Sequence, residues 1–147
     1  MKARRTETRS QTTILIADDN PDFRSTAHRA LRRAGYHVRT AVDGEEAFRI
    51  LRRESIDVLI LDLVMPGWNG IQLLDKIAEF RMAVPIIVVT GACDLATSVD
   101  LMERSRLVAS FLMKPIDPPH LCASVRWTLS DAMTRHRDTM FASARSN

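Results

Sequence analysis

The chain has 147 residues, 46% of them hydrophobic, a length and composition that suit one folded domain with a real core and leave no space for a second. Lys and Arg total 21 against 18 Asp and Glu, a formal charge of +3; Lys2, Arg4, Arg5 and Arg9 crowd the start, so the rest is nearly balanced and shows no sign of a nucleic-acid-binding surface. The two cysteines, Cys93 and Cys122, fit neither a disulfide framework nor a zinc site, and no apolar run is long enough for a secretory segment or a bilayer span, so a reduced, cytoplasmic setting is expected.

Residues 1–11 read as a flexible basic arm, solvated unless it meets nucleic acid or an acidic partner. Beyond it, apolar runs of four or five residues alternate with stretches of helical periodicity, the pattern of repeated strand–helix units around a parallel sheet. The first run is Ile14–Ala17. Asn20-Pro21 then offers a helix cap and a proline at the first helical position, and Phe23, Ala27, Ala30, Leu31 and Ala34 form one apolar face ending at Gly35. His37–Ala41 alternates polar and apolar residues, as an edge strand does. Asp43 with Glu46 resembles a capping box ahead of Ala47, Ile50 and Leu51.

Val58–Leu61 is wholly apolar, as a strand covered on both faces should be. Asn69 is placed to cap a third helix whose face reads Ile71, Leu74, Ile77 and Ala78. Ile86–Val89 is again apolar, and Asp94 can start a fourth helix bearing Leu95, Val99 and Met102. The run Ala109–Met113 admits a serine and reads as a second edge. Pro118-Pro119 opens a fifth helix with Leu121, Val125, Leu129, Ala132 and Met133 on one face, and residues 138–147 read as a frayed tail. A strand order 2-1-3-4-5 would bury the three apolar runs and expose the two mixed ones, giving a doubly wound, flavodoxin-like α/β fold over residues 12–137.

Five polar residues stand at or just beyond the ends of the apolar runs: Asp18, Asp19, Asp62, Thr90 and Lys114. Parallel strands bring such positions to one edge of the sheet, where open α/β folds place their ligands. Three gathered carboxylates repel one another unless a cation sits among them, and oxygen-only ligands favour Mg²⁺. A carboxylate beside such an ion can act as a nucleophile on phosphorus, with an ammonium and a hydroxyl left to meet the phosphoryl group.

Ile14–Asn20 (ILIADDN), Leu61–Gly70 (LDLVMPGWNG), Val89-Thr90-Gly91 and Lys114-Pro115 together resemble the receiver domain of two-component response regulators, over about residues 12–135. Each fragment alone is common; their order, each after a strand, is specific. The resemblance implies that Asp62 accepts a phosphoryl group from a histidine kinase or histidine phosphotransfer protein. It implies Asp19 and Asp62 as direct Mg²⁺ ligands, Asp18 acting through water and the Val64 backbone carbonyl completing the protein ligands. Thr90 and Lys114 would contact the phosphoryl group, Phe111 would be the aromatic switch partner of Thr90, and Lys114-Pro115 would be joined by a cis peptide. Output would pass through the fourth helix, fifth strand and fifth helix to a downstream protein, as in stand-alone chemotaxis-like regulators.

The chain departs from the pattern in places. Phe111 replaces the commoner Tyr, so the switch has no hydroxyl; Arg106–Ala109 lacks a glycine ahead of the fifth strand; Val64 and Ala92 are non-ionic where the family tunes phosphate lifetime. Trp127 stands off the main stripe of the last helix, either an exposed partner anchor or a core flank, and Met140 and Phe141 raise the same question. Cys93 reads as an idle thiol, and His28, His37, His120 and His136 share no functional spacing. One alternative is the receiver portion of a DNA-binding transcriptional regulator, in which case nucleic acid enters through a further domain. Another is an aspartate-nucleophile phosphatase, which needs a second acid two residues after the nucleophile, where Val64 stands. Self-association through the fifth helix is open in either case.

Overall fold

Local capping chemistry sets where each helix begins. In the computed structural model, which describes residues 11–91, 99–101, 103 and 105–145, strand β1 (Thr13–Ala17) is followed by helix α1 (Pro21–Arg33). The Asn20 side chain accepts hydrogen bonds from the backbone N–H groups of Asp22 and Phe23, and Pro21 occupies the first helical turn, where its missing N–H costs nothing. The helix closes with Tyr36 N–H donating to the Leu31 carbonyl and Gly35 N–H to that of Arg32; Gly35 takes φ +99°, a conformation that favours glycine. Strand β2 (His37–Ala41) and helix α2 (Gly44–Arg53) follow, the latter capped by Asp43, which accepts from Glu46 N–H at 2.8 Å. After β3 (Val58–Leu61), helix α3 (Gly70–Glu79) starts with a reciprocal Asn69/Gln72 capping box. Strand β4 (Ile86–Thr90) leads to a helical segment with residues 99–101 and 103 described, here α4; β5 (Val108–Met113) and α5 (Pro118–Arg145) complete the chain.

The five strands form one parallel sheet in order β2-β1-β3-β4-β5, which covers the three wholly apolar runs and leaves the two mixed runs at the edges. Successive residues of a strand point to opposite faces, so the sheet carries two cores. Leu15, Leu59, Leu61, Ile86 and Val88 pack with Phe48, Ile50, Leu73, Leu74 and Ile77 of α2 and α3, and with Leu101 of α4. Ile14, Ile16, Val58, Ile60, Ile87 and Val89 pack with Ala27 and Leu31 of α1 and Leu121 and Val125 of α5. Between β4 and β5 the register shifts at Ile86/Ile87, leaving Ala109 as an extra residue, at the point where the expected glycine is lacking.

Several helix faces differ from the periodicity reading. In α3 Leu73 is buried and Ala78 exposed, because the helix turns its larger side chain to α2 and the sheet. In α4 Val99 is exposed and Leu101 is buried in its place, while Leu95, Met102 and Asp94 lie outside the described residues, as does Cys93. In α5 Leu121 and Val125 are buried, but Met133 is 67% exposed. Thr128 joins the buried positions and directs its hydroxyl to the Ser124 carbonyl, which satisfies the polar atom within its own helix. The α5 backbone remains helical to Arg145, past residue 138 where fraying was expected: after Pro119 no glycine or proline interrupts it.

Candidate functional site

The hydrogen-bond ladders of the sheet continue one residue beyond the strands and deliver the polar residues to one edge. Asp18 N–H donates to the Ala41 carbonyl, Asp62 N–H to that of Ala17, and Lys114 N–H to that of Thr90. Asp18 and Asp62 therefore emerge side by side, with Lys114 next to Thr90, although Lys114 and Asp18 are 96 positions apart in sequence. Carboxylate oxygens of Asp18, Asp19 and Asp62 lie within 4.8 Å of one another. An open cavity of about 440 Å³ at this edge is lined by Asp19, Asn20, Pro21, Asp62, Val64, Thr90, Gly91 and Lys114.

Charge is distributed unevenly among the acids. Asp18 and Asp62 are buried and Asp19 is exposed. The Lys114 ammonium bridges the two buried ones, 2.6 Å from Asp18 Oδ2 and 3.1 Å from Asp62 Oδ2. Asp18 also accepts from Asn20 N–H at 2.8 Å, and Asp62 Oδ1 from Val64 N–H at 3.2 Å. Burial nevertheless pushes the Asp18 carboxyl above its usual range, aided by the neighbouring Asp62 charge, and the bonds from Lys114 and Asn20 only partly offset this. For Lys114, burial works against the ammonium but the hydrogen bonds to Asp18 and Asp62 outweigh it, so its pKa is raised. The buried carboxylates thus hold more negative charge than one ammonium stabilises, and the donor set is all oxygen: a hard divalent cation fits.

Five residues singled out from the sequence, Asp18, Asp19, Asp62, Thr90 and Lys114, meet here, and Val64 lines the same cavity. The Lys114–Pro115 peptide is cis. Phe111 sits beside the site rather than in it: it pairs with Val88, is half-buried against the α2/α3-side core, and shares that face with Thr90, two residues on from Val88. Ala92 lies outside the described residues. Two participants escaped the sequence reading. Arg24 donates to the Asp18 carbonyl at 2.8 Å, and the Phe23 ring lies 4.4 Å from Lys114 Nζ. Arg24 had a signal, since a cation in the first turn of a helix opposes the helix dipole and needs a specific partner.

The geometry agrees with the comparisons to known proteins. The sequence model of the response regulator receiver domain matches residues 14–126. The chain belongs to this receiver-domain family. A probable transcriptional regulator ycf27 of Cyanidium caldarium is 32% identical over 136 residues, 92% of this chain and 53% of that protein. The DNA-binding transcriptional regulator NtrC of Azospirillum brasilense is 35% identical over 121 residues, 82% of this chain and 25% of its own length. The chain therefore spans from a quarter to about half of these relatives. Among solved structures, the receiver protein of Pseudomonas putida superposes with TM-score 0.74 at 33% identity, covering 81% of this chain and 98% of that one. The CheY-like receiver domain protein of Methanospirillum hungatei superposes at 0.79 with 26% identity, covering 86% and 99%. The receiver fold is a signalling fold rather than that of a conventional enzyme family, and among the described residues no helix is long and apolar enough to cross a membrane.

Proposed function

We propose that the protein is a phosphorylation-activated switch in which Asp62 takes a phosphoryl group from the phosphohistidine of a histidine kinase or histidine phosphotransfer protein. The observation that carries this reading is the placement of the Asp62 carboxylate at the end of β3, buried, beside Asp18 and Asp19, bonded to Lys114, and opening on a cavity that Thr90 also lines. A carboxylate oxygen of Asp62 attacks phosphorus, the P–N bond to the donor imidazole breaks, and its electron pair leaves with the nitrogen. Asp18, Asp19 and Asp62, with the Val64 carbonyl, would hold Mg²⁺, which when bound supplies positive charge for the phosphoryl oxygens. Lys114 pairs with the transferred group and Thr90 donates its hydroxyl to it.

Thr90 and Phe111, on one face of neighbouring strands, then pass the change to α4, β5 and α5, where Val99, Met113 and Trp127 expose apolar surface to a downstream protein. Asp62→Asn incubated with acetyl phosphate and Mg²⁺ is expected to lose labelling; undiminished labelling rejects the assignment. A second reading, the receiver segment of a DNA-binding regulator, draws support from the named function and greater length of the ycf27 and NtrC relatives. The native reading frame beyond Asn147 decides between the two.

A further inference from the structure

The Lys114 ammonium has three N–H donors and, besides its two carboxylate contacts, stands 4.4 Å from the centre of the Phe23 ring. That is well inside the range over which a ring quadrupole attracts a cation. Phe23 is itself held at both ends. Its backbone N–H donates to Asn20 Oδ1 at 3.1 Å in the first turn of α1, and its half-buried ring packs, as Leu112 and Ile116 do, against the core cluster that includes Ala27, Leu31 and Leu121. Lys114 also borders two cavities, the acidic one and a second of about 450 Å³ lined by Asp22, Phe23, Thr26, Lys114, Pro115 and Ile116. Shortening Phe23 would enlarge the second cavity and leave the lysine stem free to swing into it.

We propose that Phe23 is a positioning residue for Lys114, its ring holding the ammonium at the Asp62 carboxylate. The contact matters because the two carboxylates are also the groups through which a cation and a phosphoryl group enter the site. When Asp18 and Asp62 turn to those partners, the ring still attracts the lysine, since Phe23 lines the neighbouring cavity and is not among the groups that border the acidic one. An aliphatic side chain of similar volume fills the space but supplies no such attraction. This inference rests on the phosphoryl-acceptor reading for its kinetic consequence, though not for the contact itself.

The test compares Phe23→Leu with Phe23→Tyr in the full chain, which separates the quadrupole from simple packing. With acetyl phosphate and Mg²⁺, F23L is expected to label Asp62 roughly fivefold to tenfold more slowly and F23Y at close to the wild-type rate. In the protein without phosphodonor, the ε-methylene protons of Lys114 should show a ring-current displacement that F23Y retains and F23L loses. Equal labelling rates for F23L and wild type, or equal slowing of F23L and F23Y, overturns the proposal. So does an undisplaced Lys114 signal in the wild-type protein, a measurement that stands even where a variant fails to fold. Persistent labelling of Asp62→Asn would instead sink the acceptor reading and leave the proton shifts to judge the contact.

Discussion

Gly70 offers a direct measure of how tightly the end of β3 that carries Asp62 is packed. It opens α3, and its N–H donates to the Leu63 carbonyl at 3.0 Å. A Cβ placed on it would lie 2.5 Å from the Asp62 carbonyl oxygen, 2.7 Å from Leu63 Cα and 3.0 Å from Leu63 Cδ2. Two of these atoms are backbone, so Gly70→Ala must push α3 away from β3 by something on the order of 0.5–1 Å to regain ordinary contact. Overpacking of this kind costs about 1–3 kcal/mol, while replacing glycine returns roughly 0.4–1 kcal/mol through the unfolded chain. Taking the midpoints, the net loss should be about 1.3 kcal/mol, and at roughly 2–4 °C per kcal/mol for a domain of this size Tm should fall by about 3–5 °C. The displaced atoms belong to Asp62 and Leu63, so labelling by acetyl phosphate should slow as well. Gly67→Ala is the control: Gly67 has φ +67° and nothing within 4 Å of its notional Cβ, so the substitution strains only the loop, at about 1 kcal/mol, and leaves labelling unchanged. A Gly70→Ala protein with wild-type Tm and wild-type labelling would refute the argument.

Lys114→Met removes the ammonium shared by two buried carboxylates; with partial solvent access allowed for, the metal-free protein should lose about 2 kcal/mol in urea titration, and Asp62 labelling should fall sharply. Asp18 should titrate above 3.8 when the metal-free protein is followed by carboxyl ¹³C shifts, and Mg²⁺ should move the midpoint down. The stability linked to that raised pKa is fully present below 3.8 and is lost as pH rises through the elevated value; a midpoint at or below 3.8 contradicts the burial argument. Asn69→Ala breaks the reciprocal capping box of α3 and should cost about 1 kcal/mol by thermal melting. Arg81 follows the same helix with φ 54°, and Arg81→Gly should raise stability by roughly 0.5–1 kcal/mol; a loss would show that its side chain holds an interaction outweighing the strain.

The fold was readable because the chain states its local instructions plainly. Wholly apolar runs at Ile14, Val58 and Ile86 became the covered strands, the mixed runs at His37 and Ala109 became the edges, and Asn20, Asp43 and Asn69 cap the helices they precede. Helix faces were less readable where several positions could have been inward. Leu73 displaces Ala78 and Leu101 displaces Val99 because the neighbouring elements set the angle at which each helix lies on the sheet. Met133 keeps the period of the α5 stripe but lies far along the helix, where periodicity alone no longer implies cover.

By itself, the amino-acid order determined which residues would arrive at the carboxyl edge: a polar residue that ends an apolar strand has nowhere else to go once the strands are parallel. It therefore placed Asp18, Asp19, Asp62, Thr90 and Lys114 at a common edge before any contact was known. Only the tertiary structure decided how they divide the charge. Lys114 bridges Asp18 and Asp62, Arg24 holds the Asp18 carbonyl, and Phe23, a core residue by its spacing, turns its ring to the ammonium. The Lys114 contacts join separate elements across as many as 96 positions, and their geometry depends on how α1 and the end of β5 pack on the sheet, which no local pattern encodes.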